Sequence, residues 1–415
     1  MREMKPSSME WVGDIPASWK VMPNKYLMHK KKEICPVYNG EDILSLTMKG
    51  VIVRDLDAGG KMPASFDGYQ RLEPGNLLMC LFDIDVTPRC IGLIKQAGLS
   101  SPAYSQFVLC DDVNAAYYCY YYTMLDNDKT LLHLAKNLRH SLTEDQLGAI
   151  PVIVPPTDEQ HRIADFLDAK CAEIDALTAD IQAQIDTLEQ YKRSIITETV
   201  TKGLNLDAEM KDSGVFYMAP MNASWRLTKI GYICTKLSRS FVSEDTALIC
   251  SNKGKVQIRA DDLTGIMVSD DNAMQGIRAG DIAIHGMDTW HGAIALSEFD
   301  GKITRVVHVC DSTEDKRFIV YYMQHLAFQG VYKLISNGVR GNTSDFRSWD
   351  KVRDIWIAIP KTRQEQEAIC DYLDRQCNAV EEVISTKKQQ LEVLATYKKS
   401  LIFEYVTGKK EVPLS

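Results

Sequence analysis

The chain lacks the short motifs that usually announce an enzyme. There is no GxxxxGK[ST] phosphate loop and no GxGxxG between a strand and a helix, so nucleotide hydrolysis and dinucleotide binding are not expected. Eleven cysteines are present but none forms a CxxC pair, which argues against a zinc ribbon or a thioredoxin-like site and for reduced, mostly buried thiols. No apolar run approaches the ~20 residues of a membrane span. The N-terminal MREMKPSSMEW has no apolar signal core, so a cytoplasmic protein is expected. Excess positive charge is also missing. The net charge is −8, so any contact with nucleic acid must be local rather than the work of a global field.

What the chain has is a repeat. TLEQYKRSIITETVT (Thr187 to Thr201) returns as VLATYKKSLIFEYVT (Val393 to Thr407), with Tyr191 and Tyr397 206 positions apart; ASWK at Ala17 returns as ASWR at Ala223 with the same displacement. Two copies of a unit half the chain long imply duplication and a pseudo-twofold molecule, suited to a two-part target. At 415 residues, 25% charged and 45% hydrophobic, each copy is long enough to bury its own core.

Each copy ends in a long amphipathic helix. From Glu159 to Thr201 the apolar positions Ile163, Phe166, Leu167, Cys171, Ile174, Leu177, Ile181, Ile185, Leu188, Tyr191 and Ile195 recur at steps of mainly three and four, the seam of a coiled coil. The second copy repeats it at Ile369, Leu373, Cys377, Val380, Ile384, Leu391, Leu394, Tyr397 and Leu401. Pro155-Pro156 and Pro360 stop the preceding strands, and Gly203 and Gly408 end the helices. A helix of about 45 residues spans roughly 65 Å and needs a partner for its stripe. Between Asp158 and Thr201 ten acidic residues face four basic ones, whereas 360–410 is about one charge positive. The two helices should therefore pair with each other rather than with copies of themselves, and antiparallel. The seam is expected at Ile174, Ile181, Leu188 and Tyr191 against Val380, Leu391, Leu394 and Tyr397.

The intervening parts read as mixed α/β, in the α+β sense. Short β-type runs such as LLMCLF (Leu77 to Phe82) and DIAIHG (Asp281 to Gly286) follow turn signals. The expected division is 1–154, a globular domain; 155–204, the first long helix; 205–359, a second globular domain; 360–410, the second helix; and 411–415, a tail. The globular copies match at scaffold points (Gln70 with Gln275, Gly75 with Gly280, Tyr121-Tyr122 with Tyr321-Tyr322) and diverge elsewhere. Such divergence suggests heads addressing different surfaces from a common mount. The tyrosine run Tyr117 to Tyr122 and the tryptophans Trp19 and Trp225 read as packing residues rather than base-stacking platforms. His285, Asp288 and His291 could be imagined as a metal or acid–base cluster, yet the counterpart FDIDVTPRC (Phe82 to Cys90) carries no histidine.

Two ASW-type starts, two globular parts each closing in a strand with proline (VIVPP, IAIP), PxTxxEQ-like stretches at Pro155 and Pro360, and two helices ending in YK[RK]S resemble the specificity subunits of Type I restriction-modification systems, from about Glu10 to Lys410. The resemblance implies two target recognition domains, each reading half of a bipartite, asymmetric DNA site. It implies helices that set the spacing and dock two methylation subunits, restriction subunits joining for cleavage. It also implies no catalysis or cofactor in this chain, S-adenosylmethionine, ATP and magnesium belonging to the partners. Base readout needs Arg, Lys, Asn or hydroxyl groups on loops, with other cations on phosphates. The candidates are Arg54, Lys61, Arg71, Arg89, Lys95, Arg139 and His140 in the first domain. In the second they are Lys253, Lys255, Arg259, Trp290, His291, Arg340, Asn342 and Arg347. Arg139 and Arg340 occupy matching positions. A coiled-coil scaffold whose domains bind protein remains open on the residues alone.

Overall fold

The computed structural model describes residues 2–57, 63–135, 140–205, 207–259, 271–336 and 345–413. Its helices are α1 (Ala115–Asn127), α2 (Thr130–Leu134), α3 (Glu144–Ala149), α4 (Thr157–Lys202), α5 (Ile230–Ile233), α6 (Lys316–Phe328), α7 (Val331–Ile335), α8 (Trp349–Arg353) and α9 (Arg363–Val406). The chain divides into two compact units, Met1–Ile181 with Lys388–Ser415, and Gln182–Lys387. Each unit thus holds one globular body and half of each long helix.

In unit 1 a four-stranded antiparallel sheet runs in the order Met28–Lys31, Ser105–Leu109, Leu77–Met79, Ile91–Leu93. A hairpin (Leu44–Thr47 with Gly50–Val53) and the pair Gln70–Leu72 with Gly98–Ser100 flank it, and Lys20–Pro23 pairs with Pro151–Val154 at the root of α4. Unit 2 repeats this order element by element. Its sheet is Cys234–Lys236, Val307–Ser312, Ile282–His285, Ile294–Leu296, with a hairpin Leu248–Ser251 and Lys255–Ile258, the pair Met274–Ile277 with Gly301–Thr304, and the root pair Arg226–Lys229 with Trp356–Ile359. Every strand pairing named here is antiparallel, so the bodies are α+β.

Helix α1 starts where Asn114 accepts the Tyr117 N–H, and α6 where Asp315 accepts those of Arg317 and Phe318. Both helices pack into their cores. Tyr117, Tyr118, Tyr121 and Tyr122 are fully buried, and the Tyr117 and Tyr118 hydroxyls donate to the carbonyls of Val406 and Ile153. These four rings are closed to stacking on a base, and Tyr120, half-buried, donates its hydroxyl to Asp168 of α4. All eleven cysteines are free thiols, and only Cys110 is exposed.

The long helices run antiparallel within each unit. In unit 1 Phe166 packs on Tyr405 at 4.4 Å and Lys398 binds both carboxylate oxygens of Asp175 at 2.6 and 2.8 Å; in unit 2 Lys192 binds Glu381. Positions 175 and 381, and 192 and 398, are each 206 apart, so one ion pair is made twice with the helices exchanging roles. Ile163, Leu167, Cys171, Ile174, Ile181, Ile185, Ile196 and Val200 are buried along α4, and Ile369, Leu373, Cys377, Val380, Ile384, Leu401 and Ile402 along α9.

This corrects the expected seam at five positions. Leu188, Leu391 and Leu394 are only half-buried, and Tyr191 and Tyr397 stand 53% and 52% exposed. A strict seven-residue step drifts about 20° per heptad on a 3.6-residue helix, so the buried stripe moves past Tyr191 to Ile196 and Val200.

Candidate nucleic-acid interface

Each body is mounted on its helices by the same joint. In unit 1 the Trp19 indole N–H donates to Glu159 Oε2 (2.9 Å) in the first turn of α4, and Gly408, just past α9, lies against the same indole. In unit 2 the Trp225 indole donates to Glu365 Oε1 (2.8 Å) in the first turn of α9, and Gly203, just past α4, abuts it. A Cβ on Gly408 would sit 2.8 Å from Trp19, and φ there is +71°, so the position needs glycine. The next glutamine completes the joint. Gln160 Oε1 accepts the Asn114 N–H (2.9 Å) and its Nε2 donates to the Pro155 carbonyl; Gln366 does the same for Asp315 (2.8 Å) and Pro360. The EQ of the two PxTxxEQ-like stretches therefore clamps indole and head helix to scaffold. Tyr120 to Asp168 (2.7 Å) and Tyr321 to Asp374 (2.6 Å) add a second, repeated attachment, which corrects the expected register by one: Tyr321 answers to Tyr120 and Tyr322 to Tyr121.

With the mounts accounted for, the basic candidates separate by what holds them. Arg89 is a correction: its guanidinium donates to Asp126 (3.1 Å) and Asn127, and Asp126 is a buried carboxylate that also receives Lys129 and the Cys90 N–H. A charge committed to a buried partner braces the 82–90 loop and is not available to DNA. Arg71 is also engaged, between Glu33 (3.6 Å), Glu41 (3.4 Å) and the Cys35 sulfur. Lys255 is bound to Glu381 on α9 at 2.6 Å. Arg54 and Arg259 are half-buried at the ends of the two hairpins, their N–H groups donating to Ile43 and Ala247. His140 stands at φ +45° with Nδ1 3.0 Å from Asp85, whose carboxyl it holds below the usual range. Lys95 and Lys253 are exposed and, among the described residues, unpaired. Lys61, Arg139, Arg340 and Asn342 lie outside the described residues.

Unit 2 brings several candidates to one rim. Trp290 and His291 form a 3-10 turn (Thr289–His291); the Trp290 indole donates to Ser336 Oγ at 3.2 Å, and Lys333 Nζ lies 5.6 Å over its ring. His285 Nδ1 accepts the N–H groups of Met287 (3.3 Å) and Asp288 (3.1 Å), and burial lowers its pKa against the opposing pull of Asp288. The imidazole thus caps its own turn. Among the described residues no group of three His, Cys, Asp or Glu could hold a metal ion. Arg347, exposed, reaches the Met287 sulfur (3.1 Å), and Gly286 allows the Phe346 carbonyl to approach where a Cβ would stand 2.7 Å from it. Lys333 and Ser336 escaped the sequence reading because they sit at the end of a short helix, where only tertiary contact with Trp290 marks them.

The equivalent rim of unit 1 is chemically different. Its 82–90 loop presents Asp83 at φ +46°, Asp85 and Val86, and with hairpin Leu44–Val53 encloses a cavity of about 390 Å³ lined by Met48, Phe82, Tyr104 and Arg89 among others. The same loop position thus carries Asp83, Asp85 and Val86 in one body and Met287, Asp288, Trp290 and His291 in the other, where Lys333 of α7 lies over the Trp290 ring. Carboxylates accept from cytosine amino groups, apolar groups meet thymine methyls, and Arg and Lys serve guanine or phosphate.

A family model described as "Type I restriction modification DNA specificity domain" matches residues 104–187, from the end of the first body through its mount into α4. No curated protein sequence matches the chain. Among solved structures, a chain from a study of assembly and conformational transition of the type I R-M system is 14% identical, with a TM-score of 0.67 over 95% of this chain and 99% of that one. At that identity the likeness is one of fold. The HsdS subunit from Thermoanaerobacter tengcongensis (13% identity, TM-score 0.47, 98% and 100% covered) and a Type-I restriction-modification S subunit from M. genitalium (14%, 0.40, 94% and 96%) are more distant.

Proposed function

We propose that the chain is a DNA specificity subunit of the Type I restriction-modification family, and that each globular body reads one half of a bipartite, asymmetric DNA site. The observation that carries this reading is a repeated mount under unlike rims. The Trp–Glu–Gln joint, the Tyr–Asp attachment and the cross-helix ion pair are built twice, while the exposed loops they carry differ in chemistry. Identical rims would read a palindrome; unlike rims read two different half-sites.

In this reading the paired helices set the spacer and dock two methylation subunits, and restriction subunits join them for cleavage. The chain itself is non-catalytic and binds no cofactor. S-adenosylmethionine, ATP and magnesium act in the partners, and the complex works in the cytoplasm. No helix among the described residues is long and apolar enough to cross a membrane. With a net charge of −8, affinity rests on a few exposed cations of the bodies, such as Lys95, Lys253 and Arg347, and on those of the partners.

The test is a genome-wide map of methylated adenine in cells expressing this chain with its methylation subunits, against cells lacking only this chain. A bipartite motif that disappears with the chain supports the reading and gives both half-sites and the spacer. An unchanged map, with active partners, removes it.

A further inference from the structure

The two hairpins that occupy the same place in the two bodies differ by one turn residue. In unit 1 two residues, Met48 and Lys49, join the strands; in unit 2 three do, Asn252, Lys253 and Gly254. The longer turn ends in Gly254 at φ +70°, the left-handed position a three-residue hairpin loop requires. Gly254 is also packed tightly, since a Cβ there would meet Gln324 Nε2 at 2.5 Å. This places Lys255 against α9, where its ammonium binds Glu381 at 2.6 Å beside Lys192. A cavity of about 460 Å³ remains beneath the turn, lined by Lys192, Lys253, Lys255, Arg317, Asp374 and Glu381 among others.

Unit 1 has the same cross-helix pair without the hairpin. Asp175 stands where Glu381 does and takes Lys398 alone; among the described residues no hydrogen bond or ion pair of hairpin Leu44–Val53 reaches either long helix. Arg317 of unit 2, which binds Asp371 and Asp374 of α9, has Ala116 as its counterpart. The second body is therefore held to its helix segment at points the first body lacks. Burial pushes the Glu381 carboxyl up, yet the hydrogen bonds from Lys192 and Lys255 hold it below its ordinary value, as expected for a carboxylate shared by two ammonium groups.

We propose that Glu381 is a positioning residue for sequence recognition: by holding Lys255 it fixes the second body's hairpin on the helix pair and so fixes how far its half-site lies from the other. This rests on the reading of the bodies as half-site readers. Lys255 then serves spacing, and its neighbour Lys253 is left as the free cation of the turn.

The experiment maps methylated adenine in cells carrying the full set of subunits with Lys255→Met, Glu381→Gln, Lys255→Arg or Asp175→Asn in this chain. Lys255→Met and Glu381→Gln should raise modification at sites whose spacer is one base pair too long or short, by roughly two- to fivefold for an ion pair partly open to solvent. Both half-site sequences should stay unchanged. Lys255→Arg, which keeps the charge, and Asp175→Asn, which touches no hairpin, should hold the wild-type spacing. Hydrogen exchange on the purified chain gives an independent readout, with faster exchange in 248–258 for Lys255→Met but not for Asp175→Asn. Unchanged spacing and unchanged hairpin exchange in Lys255→Met would overturn the inference, as would an equal loss of spacing in Asp175→Asn. A wild-type map without any bipartite motif would instead remove the half-site reading, and this inference with it.

Discussion

Replacing Trp19 or Trp225 by phenylalanine should break the two mounts unequally, because the two indoles differ in what surrounds them. Trp19 donates to Glu159, which is nearly buried and also paired with Arg2, and the Arg2 guanidinium lies 5.4 Å over the Trp19 ring. Losing a hydrogen bond to a buried charge costs about 1.5–3 kcal/mol. The weakened cation–π contact adds about 0.5 kcal/mol, and the gap against Gly408 about 1–2 kcal/mol. Trp19→Phe should therefore cost about 4 kcal/mol. Trp225 is just as buried, but Glu365 is half open to water, which can replace the indole, and no cation is found over its ring among the described residues. Trp225→Phe should cost about 2.5 kcal/mol. Urea unfolding of the purified variants, with limited proteolysis to show which unit opens first, measures both. A Trp19→Phe penalty under about 1 kcal/mol, or a larger penalty at Trp225, would refute the account of the joint.

Other consequences follow from single contacts. His325 is buried against Thr197, and burial lowers its pKa from 6.5 to about 4. A depressed histidine stabilises the fold above pH 6.5 and loses that contribution as pH falls towards 4, about 3 kcal/mol over the interval. His325→Met, which copies Met124 of unit 1, should flatten the loss of unfolding free energy between pH 7 and 4.5. Ile181→Asp should cost at least 3 kcal/mol, whereas Tyr191→Ser should stay within about 0.5 kcal/mol, as thermal and urea unfolding would show. Arg89→Ala should lower stability by leaving Asp126 short of a partner without changing the salt dependence of DNA binding. Lys253→Ala should do the reverse, reducing the salt slope of the assembled complex by about one phosphate contact.

Much of the architecture was legible because duplication leaves its mark in one dimension. The displacement of 206, the helical stripes and the proline and glycine stops define both long helices, and α4 and α9 begin and end within a few residues of those signals. Both tryptophans and four of the five tyrosines of the run read as core and are core, Tyr120 being half-buried against α4. The seam failed at Tyr191 and Tyr397 for a geometric reason: a heptad count accumulates phase error that only the partner helix resolves. The basic candidates were the least legible. Arg89 and Lys95 look alike in sequence, yet one is held by a carboxylate 37 residues away and the other is free.

Local pattern and repetition determined the helices, the caps and the two-copy organisation, since these follow from spacing along the chain. Which charges are committed, which rims carry which chemistry, and that among the described residues hairpin 248–258 is tied to the helix pair while hairpin 44–53 is not, were decided by tertiary structure. Ion pairs form between residues distant in sequence, and one extra turn residue at Asn252–Gly254 changes what the next side chain can reach.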